Sequence, residues 1–154
     1  MSEELEILCQ SCGMCCDGSL FGRVDLEPGE MESARRHRLY LVHGGKAFEQ
    51  PCVALVPVGA SPGGRTCAIY AERPGSCRRF VCRLYDRHRR EGGPLEPRLE
   101  AVRRVRALAA DLEARGLAPA DFEAAGPGSR PDEAAVRAFT ELTARLEEDF
   151  ARAG

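Results

Sequence analysis

The chemistry of this sequence lies in its cysteines. Eight are present: Cys9, Cys12, Cys15, Cys16, Cys52, Cys67, Cys77 and Cys82. None follows Cys82. Thiolate sulfur is a soft metal ligand and, when a thiol is free, a redox centre. The steps Cys9-x2-Cys12 and Cys12-x2-Cys15 are the spacing at which a tight turn presents two thiolates to one metal, a spacing that recurs in zinc sites. The same two steps also match the start of a ferredoxin-type iron–sulfur run. That match stops short, because Ser19 and Leu20 stand where the fourth Cys and the Pro would fall.

Cys16 follows Cys15 directly. Adjacent side chains diverge, to opposite sides of an extended chain and by about 100° around a helix. The expectation is that this pair serves two centres, one thiolate each, or a polynuclear cluster with bridging sulfur. Eight thiolates suffice for two four-coordinate sites. Spacing does not say which thiolates share a metal. Nor does it choose the metal, since thiolate sets suit zinc, Cu(I) and iron–sulfur clusters alike. The first residues, MSEELEIL, are acidic and lack the basic and apolar regions of a secretory signal. A reducing, cytoplasmic location is therefore expected, where clustered cysteines bind metal rather than form disulfides.

Three stretches together carry a resemblance. They are Cys9-x2-Cys12-Gly13-x-Cys15-Cys16, then Cys52, then Cys67-Ala68-Ile69-Tyr70-x-Glu72-Arg73-Pro74-x2-Cys77-Arg78-x-Phe80. In these the chain resembles the YkgJ-type cysteine-cluster family, over about residues 7–90. The resemblance implies a zinc- or iron-chelating domain. Similar domains occur fused within flagellin lysine methylases, where an iron–sulfur cluster has been suggested; this chain has no obvious methylase domain beside the motif. Cys82 lies just past the motif and is a further candidate ligand. Zinc is slightly favoured over iron, with more than one metal ion per chain.

Two arginines suit such a centre. A metal held by four thiolates carries net negative charge, and a nearby guanidinium can donate to sulfur and offset it. Arg73 and Arg78 are the candidates, with Pro74 setting the turn that brings Cys77 round. Arg73 to Arg90 holds seven Arg against one acid, Asp86. Such a run can be a footprint for nucleic acid. With a formal net charge of −2 for the whole chain, it reads better as a solvated face or as balance for an anionic cluster. His37, His43 and His88 have no ligand-like spacing to a Cys and read as surface or hydrogen-bonded residues. No GxSxG, P-loop or strand-linked GxGxxG pattern is present, so the sequence does not decide whether the protein is an enzyme.

The elements that must position these groups fall into two regions of what reads as a single domain. Residues 1–95 are rich in Cys, Gly and turn formers. Residues 96–154 form a helical extension packed on them, and Glu91-Gly92-Gly93-Pro94 breaks the chain between the two. In the first region a short strand is expected near Val24–Leu26 and a helix from Pro28 to about His37. Short β runs follow at Leu39–Val42, Val53–Val58 and Thr66–Tyr70, the last two joined as a hairpin through Pro62-Gly63-Gly64. Arg78–Arg90 should become helical in its second half. In the extension, Leu99, Val102, Val105, Leu108 and Leu112 make one apolar stripe; Val136, Phe139, Leu142, Leu146 and Phe150 make another. Gly116 is a helix stop, Pro119–Ala125 a short helix, and Ser129 with Asp132 a capping box. The expected class is α+β, mainly helical: a small, irregular, metal-stapled core with one hairpin, then an antiparallel helical pair.

Only 32 of 154 residues are Leu, Ile, Val or Phe, about the fifth below which chains tend to disorder. So sparse a core favours a metal staple, since binding at such sites becomes folding free energy. Three functions compete: a cytoplasmic metal-binding protein with structural or metal-handling centres, an iron or iron–sulfur redox or protein-modifying enzyme, and a zinc-stapled adaptor. Metal ions are the expected partners. The C-terminal helices offer a possible protein contact, nucleic acid is disfavoured, and no membrane span is expected because no apolar run is long enough.

Overall fold

The computed structural model describes residues 2–58, 63–117 and 131–154. It is α+β and mainly helical. Helix α1 spans Glu3–Cys12. The C-x2-C spacing suggests a tight turn at its cysteines, yet the local signals for a helix are all present. Ser2 caps the first turn, Glu3, Glu4 and Glu6 face the positive helix end, and Leu5 and Leu8 bury one side. Gly13 ends it at φ 67°, where glycine carries no Cβ penalty.

Strands β1 (Arg23–Asp25), β2 (Leu41–Val42) and β3 (Ala47–Glu49) form an antiparallel sheet in the order β1-β3-β2. Helix α2, Met31–Arg36, lies between the first two and starts later than Pro28. Strand β3 was not expected; its Ala47 and Phe48 are each 1% exposed and centre the sheet. Strands β4 (Leu55–Pro57) and β5 (Arg65–Cys67) pair antiparallel, Leu55 opposite Cys67, as the expected hairpin. Residues 59–62, which include Pro62, lie outside the described residues. Helices α3 (Gly75–Arg79), α4 (Arg83–Glu91) and α5 (Glu96–Ala114) follow.

Helix α6, Glu133–Arg145, is capped by Asp132, whose Oδ1 accepts from the Ala135 N–H at 2.8 Å. Asp132 is thus the cap itself. Ser129 and the expected 119–125 helix fall in 118–130, outside the described residues. Ion pairs Arg104–Glu141 and Arg115–Asp132 show that α5 and α6 run antiparallel. The last turn, Leu146–Phe150, widens to a π-helix. Both apolar stripes face inward except at Val136, which is exposed; Ala135 takes the buried place beside it.

Two apolar clusters stand out among the described residues. The first joins Leu8, Met14 and Leu84 to Val102, Val105 and Phe150, so both halves of the sequence contribute. The second is smaller: Ala34, Leu39, Phe48 and Ala54. Among the described residues no helix is long and apolar enough to cross a membrane.

Candidate metal centre

All eight cysteines are free thiols, and none is fully buried. Their supports divide them. Cys9 and Cys12 sit on the last turn of α1, and Cys82 caps α4, its sulfur accepting from the Tyr85 N–H at 3.4 Å. Cys12 and Cys82 pack on the first apolar cluster. Cys52 precedes β4, Cys67 ends β5 and Cys77 lies in α3; all three pack on the second cluster. Between the two trios lies the turn holding Cys15 and Cys16.

Electrostatics divides them the same way. Burial pushes the Cys9 thiol up to about 12, despite the residue's open surface, and negative charge on Cys82 and Cys15 adds to this. Burial also raises Cys12, where Cys15, Cys82 and Cys9 add their charges. Cys77 rises to about 12, again chiefly through burial, then through Cys52, Cys15 and Cys67. Cys16 feels Cys15 first, and after it Cys52 and Cys77. Cys15 acts on both trios.

The vicinal pair departs from the sequence expectation of divergence. The Cys15 and Cys16 sulfurs are 3.7 Å apart. The chain here is a single tight turn, with Cys16 N–H and Asp17 N–H both donating to the Gly13 carbonyl. Hydrogen bonding from Cys16 holds the Cys15 thiol below its usual range, and Cys16 is correspondingly raised.

The turn is clamped from two sides. Arg65, at the start of β5, donates from Nη2 to the Cys12 carbonyl at 2.8 Å and to Asp17 Oδ2 at 3.0 Å. Its guanidinium lies over Gly13, where a Cβ would come within 3.0 Å of Nε. From the other side the Gln50 side chain donates to the Cys15 carbonyl at 3.0 Å, and Cys52 N–H donates to the Cys16 carbonyl at 2.8 Å. Met14, 2% exposed, pins the turn into the first cluster. None of Arg65, Asp17 and Gln50 was nominated from the sequence. Their partners lie 48, 53 and 35 residues away, a separation that motif spacing does not reveal.

Gly13→Ala is expected to disturb this turn more than an ordinary loop substitution. It places a Cβ at positive φ, which costs about 1 kcal/mol, and displaces Arg65. Thermal denaturation and metal stoichiometry should both fall. Unchanged values would mean that the Arg65 clamp is not needed.

Arg73 and Arg78 have different places. The Arg73 guanidinium sits 3.8 Å over the Tyr70 ring and lowers the pKa of Cys9, Cys15 and Cys77. Arg78 donates to the Arg73 carbonyl at 2.5 Å, behind it. The other arginines of the basic run are also engaged. Arg79 pairs with Glu27, Arg87 with Asp149, and Arg89 and Arg90 with Asp86, while Arg83 donates to the Glu147 carbonyl. His37 pairs with Glu72, His43 with Arg23, and His88 with Glu4. His88 is buried, between α4 and α1.

The C-terminal extension reaches the site. Residue 152 bridges Cys82, and backbone bonds flank it from Arg83 N–H to the Ala151 carbonyl and from Ala153 N–H to the Val81 carbonyl. Arg106 of α5 donates to the Ser11 carbonyl at 2.8 Å and the Gly63 carbonyl at 3.0 Å. It thereby ties α1 to the hairpin.

Among the described residues, no three His, Cys, Asp or Glu groups already stand as a metal-holding set. Closing a site therefore requires thiols to turn toward one another. Donor chemistry fits the group nonetheless: eight free sulfurs, mutually repelling as anions. The raised thiols set the pH dependence. Cys9 and Cys77 keep their protons to about 12 in the fold but release them near 9.0 when unfolded. Across that interval the folded state binds more protons, so metal-free protein should lose stability as pH rises from 9 toward 12. Metal must displace those protons, so metal affinity should rise with pH. Melting of metal-free protein across this range, with proton release on loading, checks both.

The family model described as "CxxCxxCC: Putative zinc- or iron-chelating domain" matches residues 8–98, which include all eight cysteines. No curated protein and no solved structure matches the chain. With this match over more than half its length, the chain belongs to the CxxCxxCC family, whose description is zinc or iron chelation.

Proposed function

We propose that the eight thiolates hold two adjacent zinc centres that staple the fold in a reducing, cytoplasmic setting. Cys9, Cys12, Cys15 and Cys82 hold one; Cys16, Cys52, Cys67 and Cys77 hold the other. The observation that carries this reading is the double division of the cysteines. The trio members that pack on apolar clusters divide between the two clusters as their mutual repulsion divides them, and Cys16, after Cys15, feels Cys52 and Cys77 of the second trio. Bound zinc neutralises thiolates that would otherwise repel one another, and Arg73 offsets the charge that remains. The 1–95 region and the 96–154 extension act as a single domain around these centres, because Arg106 and residues 151–153 grip their supports.

Elemental analysis of anaerobically purified protein tests the reading. Two zinc per chain in colourless protein, with native thiol titration finding few reactive groups, is the expected result. Eight freely reactive thiols in freshly purified protein would overturn it. A second reading, a polynuclear iron or iron–sulfur cluster serving redox or protein modification, is favoured by the 3.7 Å contact of Cys15 and Cys16, which suits bridged metals. Brown protein containing iron would select it.

A further inference from the structure

The contact of Cys15 Sγ with Cys16 Sγ, 3.7 Å, is the one sulfur–sulfur hydrogen bond among the described residues. The backbone on both sides of it is tied. Cys16 N–H donates to the Gly13 carbonyl at 3.0 Å, Gln50 donates to the Cys15 carbonyl at 3.0 Å, and Cys52 N–H donates to the Cys16 carbonyl at 2.8 Å. Gln50 is fixed in turn, since its Oε1 accepts from Gly18 N–H at 3.3 Å. Cys15 is exposed and Cys16 partly covered. An incoming reagent can reach the first thiol, and the second already touches it. Cys9 is exposed too, but its C-x2-C neighbour Cys12 packs on the first apolar cluster and the two sulfurs share no such bond.

A disulfide between neighbouring residues is strained. Consecutive Cα atoms stand about 3.8 Å apart, against about 4.4–6.8 Å in ordinary disulfides, and strain makes the bond easier to reduce. Strained or exposed disulfides are the labile ones, unlike structural bridges.

We infer that Cys15 and Cys16 form a reversible dithiol–disulfide couple that exchanges with low-molecular-weight disulfides. The Cys15 sulfur attacks one sulfur of the incoming disulfide, forming a mixed disulfide and releasing one thiolate. The Cys16 sulfur then attacks the Cys15 sulfur, closing the Cys15–Cys16 bond and releasing the second thiolate. The two cysteine protons end on the two released thiolates. The cysteine pair loses two electrons, and the incoming disulfide gains them as it becomes two thiols. Closure leaves six of the eight thiols free, so the couple sets how much thiol the cysteine cluster holds. The inference goes beyond the zinc reading and does not rest on it, because it needs only two sulfurs in contact.

The test uses the full chain as purified under anaerobic conditions. It is challenged with oxidised glutathione, quenched with acid, alkylated and mapped by mass spectrometry. The first intramolecular bond should join Cys15 to Cys16, in a glutathione-free product lighter by two hydrogens, at least about tenfold faster than any bond between two other cysteines. Reduced glutathione should reopen it. In Cys16→Ser the glutathione adduct should persist on Cys15. A first bond between Cys9 and Cys12, or within any other pair, would overturn the inference. So would a chain that stays reduced, or an adduct that persists on Cys15 while Cys16 is intact. A bond that reduced glutathione leaves closed would overturn its reversibility, and a Cys16→Ser chain with no adduct on Cys15 would remove Cys15 as the attacking thiol.

Discussion

Removing metal with a strong chelator under reducing conditions is expected to collapse amide protection around the cysteines before it reaches the long helices. Cys52, Cys67 and Cys77 rest on a cluster whose large buried side chains are Leu39 and Phe48. That is too little apolar surface to hold two small sheets and α3 in place. Metal binding contributes on the order of 10–16 kcal/mol in zinc-finger peptides, as much as the whole stability of a typical domain. The hairpin, the 13–18 turn and α3 should therefore open first. Val102, Val105 and Leu112, each 4% exposed or less, should keep part of their protection, because α5 and α6 pack on each other without any cysteine. Hydrogen exchange before and after stripping makes the comparison. Unchanged protection near Cys52 to Cys77 would show that the metal is not structural. Loss everywhere at once would show that the shared cluster of Leu8, Met14, Leu84, Val102, Val105 and Phe150 makes the chain one cooperative unit.

Phe150→Ala should be the most damaging single apolar change. Phe150 is 1% exposed and lies in the first cluster with residues from α1, α4 and α5. Truncation of such a ring costs about 3–5 kcal/mol. Its position adds a specific consequence. Phe150 closes the π-turn just before residues 151–153, which pair with Val81–Arg83 around Cys82. Loosening that turn should release Cys82, so the variant is expected to lose metal at the Cys9–Cys12–Cys82 side while the other side keeps its metal. Denaturant unfolding together with metal counting checks this. A stability loss with full metal retention would separate the packing role of Phe150 from any effect on the site.

The helical extension was legible because its signal is periodic and local. Leucines and valines at three- and four-residue spacing bury one face of α5. The β4–β5 hairpin was legible for the same kind of reason, as apolar runs on either side of turn residues. Helix α1 has local signals in its cap, acidic first turn and Leu5–Leu8 pair, but the C-x2-C spacing over the same residues points to a turn. Strand β3 was missed because three residues, Ala47–Glu49, carry too short a pattern, and only pairing with β1 and β2 makes them a strand.

For the site, residue types and spacing alone pointed to a zinc- or iron-chelating domain, in keeping with the family match, and singled out the eight cysteines and Arg73 as candidates. Softness toward metals is a property of side-chain chemistry and is legible without coordinates. Which cysteines are neighbours, that Cys15 and Cys16 touch rather than diverge, and that Arg65, Asp17 and Gln50 clamp their turn were decided by tertiary structure. So was the reach of residues 151–153 to Cys82. Each of these depends on backbone groups brought together across long stretches of chain, and the free energy that holds them there comes from burying Met14, Phe48 and Phe150 in clusters that no local spacing encodes.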